Sequence, residues 1–205
     1  GQAGGEALAD VLFGNYNPGG RLPITFYRSA DDLPPFDDYQ MKGRTYRYFE
    51  GEPLYPFGYG LSYTTFALDH LRVDASQVGA GEQVAVRVDV ANTGDLAGDE
   101  VVQLYIRRPQ AVVPRPLLEL KGFKRVKLQP GESKTVTFHL HTRQLGSHDE
   151  SMHYVVHPGP VEVLVGTSSG QLPLTTCFDI VGPPIQSDRV FFSQVREAAT
   201  EKSLE

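Results

Sequence analysis

Several groups of residues in this chain have the types and spacing to do chemistry. Gly60-Leu61-Ser62-Tyr63-Thr64 sets a serine in a turn-like pentapeptide, the setting that lifts a hydroxyl above a sheet as a nucleophile. Its fifth position is Thr where that sharp turn wants Gly, and no strand-to-helix context is expected, so a structural serine is the simpler reading. His139, His141, His148, His153 and His157 cluster in sequence and could offer imidazole nitrogens to a metal. They have neither a defined ligand spacing nor accompanying cysteines, and His139 and His141 alternate with Phe138 and Leu140 as an outward-facing pair would. Asp31, Asp32, Asp37 and Asp38 flank Pro34-Pro35 and resemble paired acids, but no burial signal surrounds them to raise one carboxyl, so a solvated acidic loop is expected. Gly1 to Gly5 precede a helix and could cradle an anion; the Lys-Ser/Thr of a P-loop and a complete preceding strand are missing.

Arg44 and Arg47 lie in an aromatic segment where they could touch a sugar or a carboxylate, and ion pairing across a domain junction is the simpler account. Tyr55, Phe57, Tyr59, Tyr63 and Phe66 read as a packed connector clamping two units, with a sugar-stacking platform as the functional alternative. No catalytic, metal-ligating or substrate-binding residue is assigned from these patterns, and no cofactor is implied.

The elements that must hold these residues differ along the chain. Ala7, Leu8, Val11 and Leu12 fall at helical spacing with Gly14 after them, which predicts a helix from about residue 5 to 13 with one face buried. Asn15 to Gly20 is a turn by composition, and Leu22, Ile24 and Phe26 alternate as a short strand that Pro23 confines to an edge or a strand start. A helix and one strand cannot build a core, so the first 66 residues are expected to be the end of a larger α/β domain, leaving apolar surface around Leu8, Val11, Leu12 and Ile24.

From Val84 the pattern changes to a period of two: Val84, Val86, Val88 and Val90 predict a half-buried strand. Further strands are expected at 101–106, 118–126, 136–140, 152–156, 161–166 and 172–180, with Gln129-Pro130-Gly131-Glu132 closing a hairpin between the second and third of these. About seven strands over roughly 110 residues match an immunoglobulin-like or fibronectin-type β-sandwich. With no Trp and a single cysteine, Cys177, an antibody-type domain and an internal disulfide are excluded. Val190, Phe191, Phe192, Val195 and Ala198 predict either a short amphipathic helix or a mobile tail.

The chain has 205 residues, of which 40% are hydrophobic and 21% charged, with a formal net charge of −6. No stretch of five like charges occurs, so the footprint of a nucleic-acid binder is missing, and no apolar run approaches the roughly 20 residues that cross a bilayer. Neither nucleic acid nor membrane is expected as a partner. The first residue is Gly and the last two are Leu204 and Glu205, which reads as a fragment or an engineered end.

Residues 1–26, with Asn17-Pro18-Gly19-Gly20-Arg21-Leu22-Pro23, resemble the closing part of the α/β sandwich domain of glycoside hydrolase family three. Gly43-Arg44-Thr45-Tyr46-Arg47-Tyr48-Phe49 and the block from Pro53 to Phe66 are similar to that family's junction with its C-terminal fibronectin type III-like domain. Asn92-Thr93-Gly94, the stretch Asp99 to Tyr105, and Leu120-Lys121-Gly122-Phe123 resemble that terminal domain itself. The resemblance implies a retaining exo-glycosidase, a β-glucosidase or β-xylosidase, whose two carboxyl groups stand about 5–5.5 Å apart. It also places the nucleophilic Asp in an N-terminal barrel and the acid/base Glu upstream of residue 1, so no catalytic residue carries over to this chain.

The resulting expectation is a mostly β chain in three parts: residues 1–66 a remnant of the α/β domain with its connector, 67–182 the fibronectin type III-like sandwich, and 183–205 a tail. Its partner would be the barrel and α/β domains of the parent enzyme, with carbohydrate as a further ligand and self-association of the isolated piece. A polysaccharide-binding sandwich and an esterase-like hydrolase are the rival functions. The resemblance points to a secreted or periplasmic parent without excluding a cytoplasmic one.

Overall fold

The computed structural model describes residues 1–109, 115–188 and 192–200. Helix α1 spans Gly4–Leu12 and is followed by extended chain and by a single helical turn, α2, at Thr45–Tyr48. The predicted strand at 22–26 is not a sheet strand: Leu22 exchanges backbone hydrogen bonds with Tyr59 and Gly58, and Phe26 forms one bridge with Tyr55. Pro23 interrupts the donors a ladder would need. The α1 face expected to be buried is open, with no residue of the helix buried among the described ones.

Twelve strands follow among the described residues: β1 (Phe66–Val73), β2 (Gln77–Gly79), β3 (Gln83–Asn92), β4 (Gly98–Arg107), β5 (Glu119–Leu128) and β6 (Ser133–His141), then β7 (Ser147–His148), β8 (Tyr154–Val156), β9 (Gly159–Gly166), β10 (Leu174–Val181), β11 (Ile185–Gln186) and β12 (Gln194–Ala199). They form two packed sheets, ordered β1-β3-β6-β12 and β2-β10-β9-β4-β5, with a small third sheet β11-β8-β7 beside them. The chain is thus mostly β, as its alternation predicts. Val84, Val86, Val88 and Val90 of β3 point inward against Leu104, Ile106, Val163 and Phe138. Each such fully buried side chain contributes about 1.5–3 kcal/mol of burial free energy.

Two sequence expectations change here. The turn at 129–132 does not close a hairpin: β5 pairs with β4 in one sheet, and β6 pairs with β3 and β12 in the other. Val126 and Leu128 therefore face Val136 and Phe138 across the core rather than along a ladder. Alternation records which face of a strand is buried but not which neighbour it pairs with. The region of Val195 and Ala198 is neither helix nor free tail; β12 runs antiparallel to β6, with Val195 opposite Phe138. Its backbone saturates the edge of β6, a gain that side-chain periodicity does not report. Val190 and Phe191 lie outside the described residues.

β5 carries an irregularity with consequences for the junction below. Leu104 faces Gly122 and Tyr105 faces Leu120, so Lys121 is an extra residue in the strand. Such a bulge bends the strand and re-aims the side chain it inserts.

Candidate functional site

The most heavily built region is the seam between residues 16–66 and the β4-β5 side of the sandwich. At its centre Tyr105 is fully buried, and its hydroxyl donates to Gln103 Oε1 at 2.6 Å. Gln103 Nε2 in turn donates to the carbonyls of Gly58 (3.2 Å) and Thr167 (2.5 Å), tying the connector to β4 and to the loop after β9. Burial drives the Tyr105 phenol far above its usual value, helped by the neighbouring Tyr46. Tyr46 stacks on Phe57 with centroids 4.4 Å apart, lies edge-on to Tyr105 at 5.9 Å, and accepts a hydrogen bond from Leu120 N.

Two ionic anchors flank this aromatic core. Arg21 donates from its guanidinium to Glu100, both side chains being largely buried. Arg47 meets Glu119 at 3.0 Å, and Glu119 also holds Lys121 at 2.8 Å and faces Arg115 at 3.8 Å. The bulged Lys121 donates as well to the carbonyl of Gln144. Burial lowers the Lys121 ammonium below its usual range, with Glu119 opposing the shift. Beneath them Arg108 is pushed down to about 10, by burial first and by Arg115 second, and donates to the carbonyls of His157 and Pro158. One carboxylate, Glu119, here compensates several cations at once.

The sequence candidates disperse around this seam. Ser62 donates to Asn17 Oδ1 at 3.0 Å and accepts from Thr64 N, so its hydroxyl shapes a turn instead of meeting a base. The region from Gly1 to Gly5 starts α1 without a side-chain cap. His139 and His141 sit on the outward face of β6 as expected, and His141 Nδ1 accepts from Arg143 N. His153 approaches Asp149 at 3.6 Å, and His148 packs edge-on against Tyr154. Among the described residues, no three His, Cys, Asp or Glu side chains gather as a metal site, and no helix is long and apolar enough to cross a membrane. A cavity of about 670 Å³ opens beside Lys121, Gln144, His148, Tyr154 and Phe192, but Lys121 and Gln144 in its wall are engaged by Glu119 and Ser193.

The two arginines part company. Arg47 makes the cross-junction ion pair; Arg44 instead donates to the carbonyls of Pro35 (3.0 Å), Asp38 (2.6 Å) and Gln40 (3.2 Å). The connector aromatics are only partly packed: Phe57 is within the seam, whereas Tyr55 and Tyr63 remain substantially exposed. Sequence reasoning missed Gln103, Glu119 and Lys121, because a polar residue on a strand carries no mark of the partner that tertiary folding brings to it. The one available signal was the out-of-phase Lys121 between Leu120 and Phe123.

Comparison with known proteins agrees with this layout. Residues 1–63 match the glycosyl hydrolase family 3 C-terminal domain, and residues 100–169 match a fibronectin type III-like domain. The chain is 48% identical over 170 residues to a xylan 1,4-beta-xylosidase of Xylanibacter ruminicola, covering 82% of this chain and 19% of that protein. It is 40% identical over 184 residues to a periplasmic beta-glucosidase of Salmonella typhimurium, covering 84% and 24%. Beta-glucosidase 3B from Thermotoga neapolitana superposes with a TM-score of 0.82 at 38% identity, over 91% of this chain and 28% of that one. The chain therefore spans about a fifth to a quarter of the length of the curated relatives it matches. The two matched domains and these relatives together establish that the chain belongs to the C-terminal region of glycosyl hydrolase family 3.

Proposed function

We propose that this chain braces a retaining exo-β-glycosidase, a β-glucosidase or β-xylosidase, and does not carry its two catalytic carboxylates. The observation that supports this is the two-sidedness of residues 1–66. Their inner side is locked to the sandwich through Gln103, Arg21–Glu100 and Arg47–Glu119, whereas the face of α1 bearing Leu8 and Leu12 stays open. An aliphatic helix face of this kind is built to pack against protein. In this reading residues 1–66 complete an α/β domain, 67–182 form the sandwich that buttresses it, and β12, within the 183–205 tail, extends the sandwich edge. Alone in solution, the same open face makes the chain self-associate.

A chimera tests the proposal. The corresponding region of the Xylanibacter ruminicola xylosidase is removed or replaced by this chain, and hydrolysis of 4-nitrophenyl β-xyloside is followed. The truncated enzyme is expected to be inactive and the chimera active. Equal activity of both, or turnover by the isolated chain that point substitutions in it abolish, would overturn the bracing role.

A further inference from the structure

The segment between Ser29 and Phe49 is more elaborately built than a connector requires. Pro35 O accepts from Asp38 N at 3.0 Å, which puts Phe36 and Asp37 at the corner of a tight turn. The Arg44 guanidinium gathers the carbonyls of Pro35, Asp38 and Gln40 from behind, and Asp38 Oδ1 accepts from Gln40 N. Gly43, at φ +74°, turns the chain back beneath Pro34. Thr45 is held at φ +57°, an uncommon conformation for a β-branched residue, while its N–H donates to the Tyr27 hydroxyl at 2.7 Å. Strain and clamped carbonyls of this sort persist only where the surroundings enforce them, and they cluster where a loop must hold a fixed shape.

What the turn presents is two aromatic rings in water. Phe36 is 99% exposed and Tyr39 is 94% exposed, more than any other large apolar side chains among the described residues. They flank two adjacent carboxylates in Phe36-Asp37-Asp38-Tyr39, and Asp37 is exposed beside them. This distinguishes the turn from the aliphatic face of α1. Burying it under an apolar protein surface would strand the Asp37 charge at a cost of several kcal/mol, the figure for removing one ion from water. A pyranose chain meets both demands: its axial C–H faces lie on the electron-rich ring faces, and its equatorial hydroxyls donate to carboxylate oxygens.

We propose that the Phe36–Tyr39 turn is a stacking site for a β-linked pyranose chain, lying outside the catalytic machinery. The choice of β-linked gluco- or xylo-oligosaccharide rests on the glycosidase reading above; the aromatic–carboxylate chemistry does not. The backbone that carries the rings is clamped in advance by Arg44, so binding orders only the two side chains.

The test is titration of the ¹⁵N-labelled chain with xylotetraose and with cellotetraose, followed by amide shifts. Saturable changes at residues 36–40 are expected, with a dissociation constant of about 1 mM, the range two ring contacts can support. Phe36→Ala and Tyr39→Ala should each weaken binding about tenfold, while Phe192→Ala, which removes another well-exposed ring, should leave it unchanged. No saturable shift at 36–40 with either sugar, or equal loss in all three variants, would overturn the site. The chimera separates this outcome from the parent reading. An inactive chimera with sugar shifts on the turn refutes the bracing role and keeps the site; an active chimera with a silent titration does the reverse.

Discussion

Replacing Gly58 with alanine is the sharpest test of the seam. Gly58 sits at φ +81°, and a Cβ there would lie 2.2 Å from Gln103 Oε1 and 2.8 Å from its Nε2. Adopting positive φ costs alanine about 1 kcal/mol relative to glycine. The second penalty is larger. Gln103 is 2% exposed and ties Tyr105, Gly58 and Thr167 together, so displacing its amide leaves buried groups unpaired, at about 1–3 kcal/mol. Gly58→Ala should therefore destabilise the chain by about 2–4 kcal/mol in urea unfolding followed by circular dichroism. The clash contribution can be isolated on a Gln103→Ala background, where the obstructing amide is gone and the same substitution should cost only the backbone term of about 1 kcal/mol. Limited proteolysis adds a spatial readout: cleavage within residues 1–66 should accelerate before cleavage in the sandwich. Equal penalties for Gly58→Ala on both backgrounds, or a penalty below about 1 kcal/mol in the parent chain, would refute the account of the seam.

Other consequences follow from the same contacts. Glu119→Gln removes the carboxylate that compensates Arg47, Arg115 and Lys121, and because Arg115 and Lys121 are largely buried it should cost about 2–4 kcal/mol in chemical denaturation; a loss under about 0.5 kcal/mol would mean that water screens the cluster. The Tyr105 phenol is raised by burial, so the folded state keeps a proton that the unfolded chain releases near its ordinary value of about 10. The stabilisation is complete below that pH and declines by about 1.4 kcal/mol per unit as pH rises further, a slope that Tyr105→Phe should reduce when unfolding is measured between about pH 9 and 11. Deleting residues 189–205 removes β12 and bares the edge of β6; sedimentation velocity should then show larger species than the intact chain forms, and an unchanged distribution would show that β12 does not protect that edge.

The amino-acid order by itself determined the sandwich. Alternating valines in β3 and the phased positions of β6 dictate one buried face each, because a strand's side chains repeat every two residues whatever lies next to them. The helix at 4–12 was equally legible from its spacing, and so was the outward placement of His139 and His141. The motifs from Gly43 to Phe49 and from Pro53 to Phe66 carried the family resemblance. Pairing was not legible: β5 and β6 are adjacent in sequence yet lie in opposite sheets, and β12 closes an edge through backbone groups that every residue possesses. The seam was decided by tertiary structure alone. Glu119 neutralises Arg47 from 72 positions away, Gln103 reaches back 45 positions to Gly58, and Lys121 points at its partners only because a bulge turns it there. The exposure of Phe36 and Tyr39 belongs to the same class. An aromatic residue in a sequence reads as core until the fold shows that Arg44 has closed the loop behind it and left its ring facing water. Local periodicity encodes which surface of an element is apolar, and only the assembled chain fixes what that surface, or a buried charge, is brought to meet.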